Sequence, residues 1–237
     1  MGFKKGLIVG ALVLGTTGCF PGEGVTARDG TTSAAQIDQK CTTPENVSGR
    51  PTNVAETVSL INALPKPTSL GCFLDALEHP LKIVATSNQL SAQPAAGARS
   101  PRIFIVNAGL ILSVVPAGVG ADRLELSESA PYAQSTKAEI VFPVLSILSA
   151  SAPYDGVRYG AGTTCRSCHA SEVAVPDDAT HSGAYASNKV YPDPTYLVSL
   201  ASLLSSEQTC QPSAEPYRCR ILSAVVGPSR DAYSGSY

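Results

Sequence analysis

The residues best equipped for chemistry are Cys165-Arg166-Ser167-Cys168-His169, a C-x-x-C-H run. Two thiols at this spacing can reach the two vinyl groups on one edge of a porphyrin and form thioethers. The adjacent imidazole of His169 then falls under the iron as its proximal ligand. The same residue types serve other chemistries. Cys165 and Cys168 can close a disulfide, with His169 incidental. They can form a redox-active dithiol, but a thioredoxin-like site needs a βαβ context that this sequence lacks. They can also join His169 or His181 on a zinc ion.

Over residues 165–169 the chain resembles the haem-attachment segment of c-type cytochromes. The resemblance implies one haem c, with Cys165 and Cys168 as thioether residues, His169 as proximal ligand and electron transfer as the function. It is local and departs from the usual pattern in two ways. Many small cytochromes carry the run at the end of an amphipathic helix and place a Met ligand downstream. Here the preceding residues 159–164 (YGAGTT) form a poor helix, and the only Met is Met1. A His/Met iron is therefore excluded if haem is bound and the signal peptide is cut. For the second axial ligand His181, twelve residues on, is the first candidate and His79 a weaker one; a non-histidine group or an open position are the others. A bis-His iron would sit at lower potential than a His/Met one. His79 precedes Pro80, where a helix-end role on terminal carbonyls is the simpler reading. Asp177 and Asp178 read as a solvated loop.

The amino terminus bears on the redox setting. Lys4 and Lys5 precede an apolar run over residues 6–15 (GLIVGALVLG), too short for a spanning helix of about 20 residues. Thr16-Thr17-Gly18-Cys19 then resembles the lipobox of bacterial lipoproteins, with Thr16 where Leu is usual. The resemblance implies a signal peptide over residues 1–18, lipid on Cys19, and a membrane-anchored protein facing the periplasm or cell surface. Ordinary cleavage nearby and a retained anchor are the alternatives. Phe20 rather than Asp after the cysteine favours the outer membrane, by analogy with enteric sorting. Export suits haem c, which is attached on the far side of the membrane, and lets thiols oxidise. Leaving Cys19 aside, six cysteines remain. Cys41–Cys72 and Cys210–Cys219 are the expected disulfides.

Residues 19–40 read as the anchor and a flexible tether rich in Gly, Thr and Ser. Two helices follow. Asn53 can cap a run in which Val54, Val58, Ile61 and Leu64 recur at helical spacing before Pro65, and Glu56 completes a capping box. The second starts at Thr68 or Ser69, carries Leu70, Phe73, Leu74 and Leu77 on one stripe, and stops at Pro80. From residue 81 to about 148 the texture is β. Strands are expected over 81–85, 102–106, 110–115 and 138–144, with alternation around Leu124 and Leu126 and a tight turn at Asn107-Ala108-Gly109. The last third holds the cysteine-histidine run, a helix over 196–205, and a loop between Cys210 and Cys219.

The expected fold is α+β and mainly β: an antiparallel sandwich or barrel with an amino-terminal helical pair. A carboxy-terminal haem-motif segment with a short helix packs on it. The expected units are 41–150 for helices and β-domain and 151–237 for the haem-motif segment. Hydrophobic residues make up 43% of the chain, enough for a core. Charged residues are 15% and the net charge is −2, without the clustered Lys and Arg of a nucleic-acid footprint. The expected function is a membrane-tethered mono-haem electron carrier acting on an unspecified redox partner protein, a carrier rather than a catalyst. The alternatives are a non-haem binding or structural lipoprotein stapled by disulfides, and an enzyme or sensor using an open sixth position.

Overall fold

The computed structural model describes residues 39–227. Residues 1–18, the lipidation candidate Cys19 and tether residues 20–38 lie outside the described residues, as do residues 228–237.

The architecture follows from strict alternation along five strands: β1 (Ile83–Thr86), β2 (Arg102–Asn107), β3 (Leu110–Val114), β4 (Arg123–Ala130) and β5 (Gln134–Val141). Successive side chains of a strand point to opposite faces. One face therefore collects Ile83, Ala85, Ile103, Ile105, Leu112, Val114, Leu124, Leu126, Ala138 and Ile140, all buried. Cross-strand register keeps them together: Ile103 opposes Val114, Leu112 opposes Leu126, and Leu126 opposes Ala138. The other face carries Arg102, Ser113, Glu125, Ser127, Ser135, Lys137 and Glu139. Here Ser113 opposes Glu125, Glu125 opposes Glu139, and Ser127 opposes Lys137.

Five short strands complete the chain: β6 (Arg158–Tyr159), β7 (Gly162–Thr163), β8 (Val173–Ala174), β9 (Tyr185–Asn188) and β10 (Leu197–Val198). β6 and β7 form a separate two-stranded ladder. The rest join one eight-stranded antiparallel sheet in the order β10-β1-β2-β3-β4-β5-β9-β8. The sheet is open, with β10 and β8 at its edges, so the barrel alternative is overturned. Closure would need those edges to pair, and the chain spends its last strands extending the sheet outward.

The apolar face shares one hydrophobic cluster with the helices. α1 (Val54–Ala63) starts at Asn53, whose side chain accepts from the Glu56 N–H at 2.8 Å. Glu56 reaches back to the Thr52 N–H at 2.7 Å, one residue further than a capping box requires. α2 (Leu70–Asp75) is capped by Ser69 and buries Leu70, Phe73 and Leu74. α3 (Ala152–Asp155) is a single turn that buries Tyr154. α4 (Leu200–Gln208) lies later than the helix expected over 196–205, because Leu197 and Val198 pair with β1 as β10. α5 (Pro216–Val226) occupies part of what reads in sequence as a loop. Pro216 stands in its first turn, where the missing N–H is no loss. Ile221, Leu222, Val225 and Val226 are fully buried. Residues 151–227 thus contribute three strands to the sheet and three helices to the shared core.

Both expected disulfides are present, Cys41–Cys72 and Cys210–Cys219. Cys72 is wholly buried in α2, where Arg220 of α5 also pairs with Asp75. The first bridge spans 31 residues and the second 9. Loop-closure entropy then makes the first worth about 3.5 kcal/mol and the second about 2.5 kcal/mol. Denaturant unfolding of the Cys41→Ala/Cys72→Ala and Cys210→Ala/Cys219→Ala pairs should show the larger loss for the first.

Candidate haem-attachment site

The C-x-x-C-H residues sit on a single turn held by its neighbours. The β6–β7 ladder delivers the chain to Thr163, whose hydroxyl accepts from the Cys165 N–H at 3.1 Å. A 3-10 turn follows over Thr164–Ser167. The Cys165 carbonyl then accepts from the N–H groups of both Cys168 (3.1 Å) and His169 (2.9 Å). Positions three and four apart on such a turn share a side, so both thiols and the imidazole belong to one surface. Glu172 staples the turn from its far end. Its carboxylate accepts from the Thr163 N–H at 2.8 Å and from the Thr163 hydroxyl. A Cβ at position 162 would stand 2.3 Å from Glu172 Oε1, so a larger residue would push that carboxylate off Thr163.

His169 is half-buried, and its Nδ1 meets the Asn188 carbonyl of β9 at 2.9 Å. A carbonyl can only accept, so Nδ1 carries the proton and Nε2 keeps the lone pair. This is the tautomer a metal-ligating imidazole needs. Burial, more than any neighbouring charge, lowers the His169 pKa and keeps the ring neutral.

The turn covers the polar face of the sheet. Cys165 is half-buried against it, and that burial pushes its thiol up to about 11. Cys168 is exposed. Neither is disulfide-bonded, in contrast to the other four cysteines of the described residues. Beneath them lies a polar cluster that sequence reading did not single out. Arg102 pairs with Glu125 and donates to Ser113 Oγ (2.9 and 3.0 Å). Gln93 accepts from the Ser113 hydroxyl at 3.0 Å. Lys137 is 7% exposed and donates to the Ser135 and Ser127 hydroxyls. Burial is the main reason its pKa falls to about 8. The Ser187 hydroxyl, wholly buried opposite Ser135, has no hydrogen-bond partner among the described residues.

The other two histidines are placed elsewhere. His181 faces Glu128, with Nε2 to Oε1 at 3.2 Å, and Asp178, with Nδ1 to Oδ2 at 3.1 Å. Glu128 shares the sheet face of Leu124 and Leu126 and opposes Leu110, so His181 lies across the sheet from His169. Glu128 also accepts from the Val54 N–H at 2.8 Å, capping α1. The Tyr154 ring packs 6.3 Å from the His181 ring, and its buried hydroxyl has no hydrogen-bond partner among the described residues. An open cleft of about 340 Å³ adjoins them, lined by Val173, Val175, Pro176, Ala186 and Tyr132 with Glu128 and His181. His79 stands between α2 and β1, its Nε2 3.3 Å from the Leu74 carbonyl. A zinc set of Cys165, Cys168, His169 and His181 is not assembled. Among the described residues no group of three or more His, Cys, Asp or Glu is arranged for a metal ion.

The residues present fit a covalently held haem. Two thiols remain unoxidised on one turn, an imidazole has its tautomer set for ligation, and an orphaned hydroxyl lies on the face beneath. Cys165, Cys168 and His169 are the residues that would hold it.

The His181 clasp has a pH signature. Burial alone would depress this imidazole, but the Asp178 and Glu128 carboxylates outweigh it and raise its pKa. A group raised in the folded state stabilises fully below its unfolded value, about 6.5, and loses that contribution as pH rises through the folded value. The thermal midpoint advantage of wild type over His181→Gln should therefore shrink on going from about pH 5.5 to about pH 8.5. Parallel curves would show that the clasp is not protonated. Comparison with known proteins finds no matching family, no similar curated protein and no similar solved structure.

Proposed function

We propose that the chain is a membrane-tethered, mono-haem c-type electron carrier facing the periplasm or cell surface. The observation that carries this reading is His169 anchored through Nδ1 to Asn188, beside two cysteines that form no disulfide while the other described cysteines are bridged. Cys165 and Cys168 hold haem c through thioethers, and His169 ligates its iron. Bound haem supplies a one-electron Fe(III)/Fe(II) couple. The protein contributes placement. Glu172 and Thr163 hold the turn, and Asn188 fixes the imidazole. Exposure of Cys168 leaves the attachment edge open to a redox partner protein. No catalytic residue is required for such a carrier. The amino-terminal tether, through lipid on Cys19, keeps it at the membrane.

A second reading rests on the cleft at Glu128 and His181. Its mostly apolar walls and paired polar floor are those of a small-molecule site, which fits a binding lipoprotein whose disulfides brace the fold.

The test is a reduced pyridine-haemochrome spectrum after expression with c-type maturation machinery. Wild type should show a c-type α-band, and Cys165→Ala/Cys168→Ala should lose it. No band, with Cys165 and Cys168 found disulfide-linked, would overturn the carrier and leave the cleft as the functional part.

A further inference from the structure

We propose that the cleft beside Glu128 and His181 binds a small apolar amine as its ammonium ion. The inference rests on the reading of this cleft as a small-molecule site and names its ligand class.

The polar end of the cleft carries an excess of negative charge. One imidazole, His181, lies between two carboxylates, 3.2 Å from Glu128 Oε1 and 3.1 Å from Asp178 Oδ2. A third carboxylate, Asp177, belongs to the same loop and accepts from the Gly183 N–H at 2.7 Å. Protonation of one ring cannot neutralise three carboxylates, so this end stays anionic in either state of His181. Two other cations stand nearby. Lys189 donates to Ser129 Oγ at 3.1 Å, and Ser129 alternates with Glu128 along β4, so its side chain points to the opposite face. Arg158 donates to the Gly183 carbonyl and pairs with Asp155. The charge at the cleft therefore repels an anionic ligand and matches a cationic one.

Glu128 has room for a further donor. A carboxylate offers about four lone-pair sites. Oε1 faces His181 Nε2, and Oε2 accepts from the Val54 N–H at 2.8 Å, which leaves each oxygen able to accept again. The side chain is 16% exposed and lines the cleft, so its remaining solvent contact is on the side a ligand would enter. The Tyr154 hydroxyl adds a second, independent mark of a missing partner. Its ring packs against His181, and the hydroxyl is buried with no hydrogen-bond partner among the described residues.

The walls set the other end of the ligand. Val173, Val175, Pro176, Ala186 and Pro131 are apolar, and the space of about 340 Å³ is that of a small molecule. A bare ammonium would leave these walls in water, whereas a chain of several carbons covers them.

The test titrates the full, isotope-labelled chain with hexylammonium, hexanol and hexanoate and follows the backbone amide resonances. Hexylammonium should bind saturably, with shifts at residues 128–136, 173–176, 181 and 186. Hexanol should bind about tenfold more weakly, for want of the charge, and hexanoate should not bind. Glu128→Gln keeps an acceptor for the Val54 N–H; it should weaken hexylammonium about tenfold and leave hexanol unchanged. If that variant disturbs folding, Val173→Ser, at an exposed position, should weaken hexylammonium and hexanol alike. The proposal is overturned by hexanol or hexanoate binding as tightly as hexylammonium, by shifts away from the cleft, or by an affinity that a folded Glu128→Gln leaves intact. Hexanol bound in the cleft alongside any of these spares the small-molecule reading, and no shift at the cleft with any of the three overturns both.

Discussion

The rest of the structure depends on the eight-pair ladder between β4 and β5 and the alternation it enforces. A one-residue slip in either strand would send its apolar set to the wrong face and expose it to water. Because Leu124, Leu126, Ala138 and Ile140 must face the helices, Glu125, Ser127, Ser135 and Lys137 must face the other way. The core and the polar cluster are thus two consequences of one register.

That register also sorts the histidines. Glu128 is in phase with the core residues, so it turns toward α1 and draws His181 to that side. Lys137 and Ser135 are in phase with Glu125, so they lie under the cysteine turn. A single pleated sheet therefore separates the two chemically competent clusters. One is a carboxylate–imidazole clasp beside an open cleft, and the other an imidazole and two thiols over a buried amine.

The polar face is unusual for being covered. Buried charges cost free energy unless paired or neutralised. The Arg102–Glu125 and Arg123–Glu139 pairs meet that condition, and Lys137 meets it through serine hydroxyls and a lowered pKa. Retaining such groups under the cysteine-histidine turn makes sense if they serve the turn, and they set the electrostatic surroundings of Cys165 and His169.

Much of this was legible from residue order, because it depends on local interactions. Asn53 and Ser69 as caps, the stripes of α1 and α2, the turn after Asn107, and the cysteine-histidine run involve groups only a few positions apart. Both disulfide pairings could be read from cysteine count and placement. What only the tertiary structure decided was everything resting on contacts between distant residues. β8, β9 and β10 are too short to show a period and exist because the edges of a larger sheet receive them. α5 was hidden by prolines that mark a loop as readily as a helix start. Lys137 looks like any strand lysine until strand pairing and the turn above it remove it from water. Sequence alone brought two cysteines and a histidine together, since they lie within five adjacent residues. Which side chains surround them was left to the sheet, since register, and not spacing along the chain, decides who shares a face.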